Sequence, residues 1–384
     1  MRKTWAVFGD RKNLKLMLRT LCFLLIAVGL LDVAIAQKPA TSRSVGETPF
    51  AFAVEPEPFS TGWQIVLDND ALVSHSRDRD YTGGFAVALG GSRVANYRVS
   101  LDPALTWINK KLHLDDGWQR VSRDHLMQIG LTLFTPEIDS VNGPAFDDRP
   151  FANLLFVENS QYMIDEIFER TFQSTLTVGI LGSNAGEAAQ DAVHGLGRLP
   201  GKGDYGRQIS DGGELTARYA VSRQSLLLSS FTRLGNTFEL KYRVGGDIGY
   251  ITEGSATLAF RWGRVASPWW SYAPTRSNYL PQAVPNSRHD FRGFGGRDFY
   301  LWSAITLRAR AYNALLQGQF RDSELTFSGG ELNHILGELS VGVNRRFGNA
   351  VDVSFALHFQ TNEIKYGTGA RTVRWGGLTI RKSF

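Results

Sequence analysis

Val351-Asp-Val-Ser-Phe-Ala-Leu-His-Phe-Gln360 decides the fold. Val351, Val353, Phe355, Leu357 and Phe359 stand on one face, and Asp352, Ser354, Ala356, His358 and Gln360 on the other. A period of two is that of a β-strand, and an apolar face opposite a polar one implies lipid or core outside and water within. Residues 255–265 repeat the pattern, with Ala256, Leu258, Phe260 and Trp262 against Thr257, Ala259 and Arg261. In a soluble sandwich the apolar face would pack on a second sheet, and one strand alone does not separate the two cases.

The segments around these strands do separate them. The closing stretch, VRWGGLTIRKSF at 373–384, ends on an aromatic residue, which resembles the recognition signal of outer-membrane barrels. Strands are expected at both ends of Trp63–Leu89 and at Leu126–Thr135, Phe151–Asn159, Phe172–Gly182, Glu214–Ser230 and Thr237–Tyr250. Further ones are expected at Ser255–Val265, Phe299–Ala311, Leu332–Arg345, Val351–Gln360 and Thr372–Phe384, twelve in all. An even count lets a closed antiparallel barrel keep both termini in the periplasm. With 12% aromatic residues and 40 glycines, the composition fits an all-β transmembrane barrel.

Residues 1–36 read as a signal peptide, with six Lys or Arg before the apolar run 21–31 and Ala34-Ile35-Ala36 as a cleavage site. That run is shorter than a spanning helix needs. With this segment removed, the remaining chain carries a net charge of about +1 and loses Cys22, its single cysteine. A nucleic-acid partner is therefore not expected, and disulfides cannot staple the fold. Residues 37–60, rich in Pro, Ser, Thr and Glu, read as a disordered periplasmic lead-in, leaving 61–384 as the barrel domain.

Oxygen-bearing side chains gather at the turn of the first hairpin: Asp68, Asn69, Asp70, Asp78, Asp80, Tyr81 and Thr82. Such a set suits a hard cation such as Ca2+, and an acidic solvated loop is the plainer explanation. Counting strands from a periplasmic N-terminus puts this cluster at the extracellular rim, with Thr82 on the lumenal face. A helix expected over Ala185–Val193 emerges at the same end and would place Gln190 and His194 one turn apart, near Asn69, Asp70 and Thr82. Segments 266–297 and 312–331 are expected as extracellular loops, 93–123 as an insertion between strands, and Trp269, Trp270 and Tyr272 as a loop or interfacial cluster. Loop arginines such as Arg276 suit either solvent or lipopolysaccharide phosphates.

Five pieces in order resemble the LpxR family of outer-membrane lipid A 3'-O-deacylases. They are DND at 68–70, DRDYTGG at 78–84, DDRPFA at 147–152, GILG with Q-x3-H at 179–194, and the terminal strand. The resemblance implies a twelve-stranded barrel with a short helix at or inside its extracellular end. It also implies calcium-dependent hydrolysis of the 3'-acyloxyacyl ester of lipid A, by a monomer in the outer membrane. Carried over by position, His194 is the general base, with Asn69, Asp70 and Thr82 facing it. Asp70 and Asn69 are the metal ligands, and Asp148 and Arg149 support the site or contact phosphate. Pro200 stands where the family typically carries a glutamate six residues beyond its histidine. The rival expectation is thus a barrel that kept the fold and serves structurally or binds lipopolysaccharide, and a third is a small-solute channel.

Overall fold

A computed structural model describes residues 56–73, 79–114, 116–118, 121–139, 143–144, 147–184, 208–232, 235–272, 274–285, 298–348 and 351–384. The expected signal peptide, most of the lead-in, and the 185–194 helix with His194 lie outside the described residues.

All twelve expected strands are present. They are β1 (Gly62–Asn69), β2 (Asp80–Gly90), β3 (Ser122–Thr135), β4 (Ala152–Asp165), β5 (Arg170–Leu181) and β6 (Glu214–Phe231). They continue as β7 (Thr237–Gly249), β8 (Ile251–Arg264), β9 (Phe299–Asn313), β10 (Ile335–Phe347), β11 (Val351–Gln360) and β12 (Val373–Ser383). Each is antiparallel to its neighbour in the chain, and β1 pairs with both β2 and β12, which closes the barrel. Ile65, for example, lies between Val87 and Ile380. Closure matters because hydrocarbon offers no partner to an unpaired backbone edge.

Side-chain orientation follows the alternation in the sequence. In β8, Leu258, Phe260 and Trp262 are exposed on the outer wall, while Thr257, Ala259 and Arg261 are buried in the lumen. In β11, Phe355 is exposed outward and Asp352, His358 and Gln360 are buried inward. β4 runs six residues past its expected end, Asn159. The alternation there is hidden because Asn159 and Gln161 bond to segment 100–109 and Ser160 bonds to Thr175 of the next strand. Pro58 and Phe59, assigned from sequence to the lead-in, accept backbone hydrogen bonds from Ser92 and Arg93, so the ordered wall reaches back before residue 61.

Strand parity puts the start of β1 and the end of β12 at one end of the barrel, the periplasmic one. Two inserts enter the lumen from there. The first contains helix α1 (Asp102–Lys111), started by Pro103 in its first turn. Its Asn109 amide donates to Gln161 and Ser174 at 2.9 and 2.8 Å, and Leu105 is fully buried.

The second insert corrects the expectation that 266–297 is extracellular. Because β8 runs toward the periplasm, this segment starts at the periplasmic end, and its described part, to residue 285, folds up through the barrel. Lys241 Nζ holds the Trp269 and Tyr272 carbonyls at 3.1 and 2.9 Å, and Arg261 donates to Ser267 Oγ and O. Trp269 and Tyr272 are therefore buried in the lumen rather than at a membrane interface. Higher up, 276–277 and 280–281 form a small hairpin. Its Arg276 pairs with Glu338 at 2.9 Å and lies on the Trp375 ring, so it is not a loop cation open to phosphate.

The wall facing this plug is charged and paired. Arg308 bridges Glu253 and Glu338, Arg310 bridges Glu253 and Glu363, and Arg381 and Arg346 share Asp352. Removing one partner of such a buried pair leaves the other uncompensated. A barrel of this size filled by a paired plug has little open lumen. In planar bilayers the wild type is expected to conduct no more than a leak, whereas deletion of Thr275–Gln282 should raise single-channel conductance several-fold.

Candidate functional site

At the extracellular end, the hairpin of β1 and β2 carries the polar residues singled out from sequence. Register pairs Asn69 with Gly83, which brings Asp70 and Thr82 together at the turn. Asn69 caps a short 3-10 turn over Asp70–Leu72, its Oδ1 accepting from the Ala71 N–H at 2.7 Å. Asp70 is 7% exposed, and its Oδ2 accepts the Arg79 N–H at 2.9 Å. A bulge between Tyr81 and Gly83 leaves Thr82 out of the ladder with β3, and its hydroxyl meets that of Thr135 at 2.6 Å.

Glycines make room for this corner on both sides. A Cβ at Gly83 would lie 2.6 Å from the Asp68 carbonyl oxygen, and one at Gly377 would lie 2.4 Å from Asp68 Oδ1. The pair Gly376-Gly377 is required by the close approach of Leu72 and Asp68.

Beneath it lies an aromatic floor. Tyr81 packs on Phe134 and Trp375 with ring centroids 5.3 and 5.2 Å apart, and Tyr279 of the plug meets Phe134 at 4.7 Å. The plug thus supplies the underside of the site.

Asp148 and Arg149 are brought to the same end but face inward. Asp148 is fully buried and accepts from the Glu137 and Arg149 N–H groups, each at 2.7 Å, and from Arg371 at 3.0 Å. Arg149 lies 4.4 Å over the Phe134 ring and pairs with Glu363 at 3.1 Å. These contacts commit both side chains to holding loops together, which suits site support better than phosphate contact.

Sequence reasoning missed three residues that organise this end. Glu363 joins Arg149, Arg310 and the Tyr279 hydroxyl. Arg371 joins Asp80 and Asp148. Asn153 holds both flanks of the segment carrying His194, donating to the Ser183 carbonyl at 2.9 Å and to Gln208 Oε1 at 2.7 Å. Asn153 follows directly on the DDRPFA motif, a signal that was available.

The donors fit calcium in kind. Asp68 and Asp70 are both buried, and the Asp68 carboxylate, with only the Trp375 indole and the Arg276 charge near it, meets no well-aligned donor among the described residues. A buried carboxylate so weakly compensated is costly, and a hard cation bound through oxygen would relieve that cost. Among the described residues, no three His, Cys, Asp or Glu side chains form a ready-made metal cluster.

The family described as outer membrane protein LpxR matches residues 21–384. The structure is similar to that of LpxR from Salmonella typhimurium, with a TM-score of 0.62 and 14% identity over 84% of this chain and 100% of that one. The β domain of the Bordetella autotransporter BrkA is more distant, with a TM-score of 0.40 and 10% identity over 85% of this chain and 100% of that one. No curated protein matches the chain by sequence.

Glu363 gives the site floor a pH signature. Burial acts to raise its pKa, but Arg310 and Arg149 outweigh it and hold the carboxyl below its ordinary 4.5. With the folded value depressed, its stabilisation is complete above pH 4.5 and is lost as pH falls through the folded value. Glu363→Gln should therefore cost about 3 kcal/mol at neutral pH. Heat-induced gel-mobility shifts in detergent should show that loss at pH 7, and a shallower further decline in acid than the wild type shows.

Proposed function

This chain belongs to the LpxR family of outer-membrane proteins, and from that membership we propose that it is a lipid A deacylase. The reaction is hydrolysis of the 3'-acyloxyacyl ester in the outer leaflet. What carries the proposal is the convergence of DND and DRDYTGG, which share the first hairpin, with DDRPFA of a later loop on one corner of the extracellular mouth.

Ester hydrolysis needs a water made nucleophilic and a stabilised oxyanion. In the proposed scheme, His194 takes the proton from water as general base and later returns it to the departing alkoxide. Thr82 and Asn69 position the water and ester along the polar wall, and Asp70 and Asn69, with Asp68 beneath, would hold calcium. Bound there, calcium would polarise the ester carbonyl as a Lewis acid. The aromatic floor of Tyr81, Phe134 and Trp375 keeps the lumen from flooding the site from below. Pro200 stands where the family typically carries a glutamate, so His194 takes no carboxylate partner from that position. The other reading, a barrel that binds lipopolysaccharide without turnover, rests on that substitution.

Mass spectrometry of lipid A from cells producing the wild type, His194→Ala or Asp70→Asn separates the two. The proposal expects loss of the acyloxyacyl group with the wild type, and a rate lower by roughly a hundredfold or more in either variant. Unchanged lipid A in all three, with calcium supplied, would leave the non-catalytic barrel.

A further inference from the structure

The loop between β11 and β12 reaches over the mouth and ends in Arg371. Its guanidinium is forked between two motifs, with Nε 2.8 Å from Asp80 Oδ2 and Nη2 3.0 Å from Asp148 Oδ2. Asp80 sits in the left-handed region at φ 66°, a conformation uncommon outside glycine but one aspartate adopts more readily than most residues. The preceding residue, Arg79, donates its backbone N–H to Asp70 Oδ2 at 2.9 Å. The Arg79 side chain reaches Glu137 at 3.0 Å, and the Glu137 N–H returns to Asp148 Oδ2 at 2.7 Å. The contacts form a ring through Arg371, Asp80, Arg79, Glu137 and Asp148, drawn from three separate loops.

We propose that Arg371 is a positioning residue: by fixing Asp80 and Asp148 it aims the Arg79 N–H at Asp70 and so sets the orientation of the Asp70 carboxylate. This rests on the deacylase reading for its kinetic consequence but not for its structural one. A planar fork can satisfy both carboxylates at once, whereas a lysine ammonium can serve them only as a point charge.

The test uses the full-length barrel purified in detergent, with Arg371→Ala, Arg371→Lys and, as a control remote from this end, Arg345→Ala. Heat-induced mobility shifts establish that each variant is folded. Initial deacylation rates on lipid A and hydrogen exchange at the Arg79 amide are then measured. We expect Arg371→Ala to lower kcat on the order of tenfold with KM little changed, and to speed exchange at Arg79. Arg371→Lys should recover part of both, and Arg345→Ala should match the wild type. Wild-type turnover and wild-type protection of the Arg79 amide in Arg371→Ala would overturn the proposal. If the wild type itself shows no turnover, the deacylase reading fails alone, and amide exchange still decides for or against Arg371. A variant that does not fold as Ala is replaced by Arg371→Lys, whose loss of the double contact is read in the same two ways.

Discussion

A chain crossing hydrocarbon must pair every backbone amide with itself, and the antiparallel contact of β1 with β12 is where that requirement is finally met. Once the wall is closed, strand alternation leaves no choice about the rest. Phe260, Trp262, Leu301 and Ile305 go to lipid, and their neighbours Arg261, Glu239, Thr306 and Arg308 go inside. The interior of this barrel is therefore not a hydrophobic core in the usual sense. It is a shell of charges that must find partners within a few ångströms or pay a large desolvation cost.

The plug answers that demand. Ser267, Ser271 and the Trp269 and Tyr272 carbonyls accept from Arg261, Arg381 and Lys241. Above them Ser277 and Asn278 meet Glu158, and Tyr279 meets Glu363. Wall and plug thus share one hydrogen-bonded network from the periplasmic end to the floor of the mouth. The functional corner rests on that network rather than on loose loops, a rigid base of the kind that holds reacting groups in register. The same physics accounts for the glycines at 83 and 377. Their absent side chains let the Asp68–Asp70 turn settle into the seam.

The wall was legible in the sequence because lipid imposes a strict period of two, and the twelve segments could be read almost to their ends. The corner was legible as far as its residues are close in sequence: Asn69, Asp70 and Thr82 meet across a single hairpin. What lay beyond reach was long-range pairing. Arg371 finds Asp80 from 291 residues away, and Arg149 finds Glu363 from 214, and nothing local marks either contact. Residues 266–285 are hard to place for a different reason: Arg, Trp and Tyr suit an extracellular loop and a lumenal plug equally well, and strand parity alone distinguishes the two. Helix α1 is hard to see because its inward face mixes Leu105 with Asp102 and Asn109, both bonded to the wall, so the usual apolar stripe is interrupted.

The central claim is that the segment bearing His194 faces the Asp70–Thr82 corner across the barrel mouth. Its most direct test exploits a chain without cysteine beyond Cys22. His194→Cys is paired with Thr82→Cys, and separately with Ile167→Cys at a periplasmic turn, in folded protein treated with a bismaleimide cross-linker, because a direct disulfide, which needs Cα atoms within about 7 Å, would leave no room for water and ester between the two positions. The account predicts a 194–82 cross-link and none between 194 and 167. Unlinked, singly labelled thiols at 194 and 82 in the folded protein would contradict it.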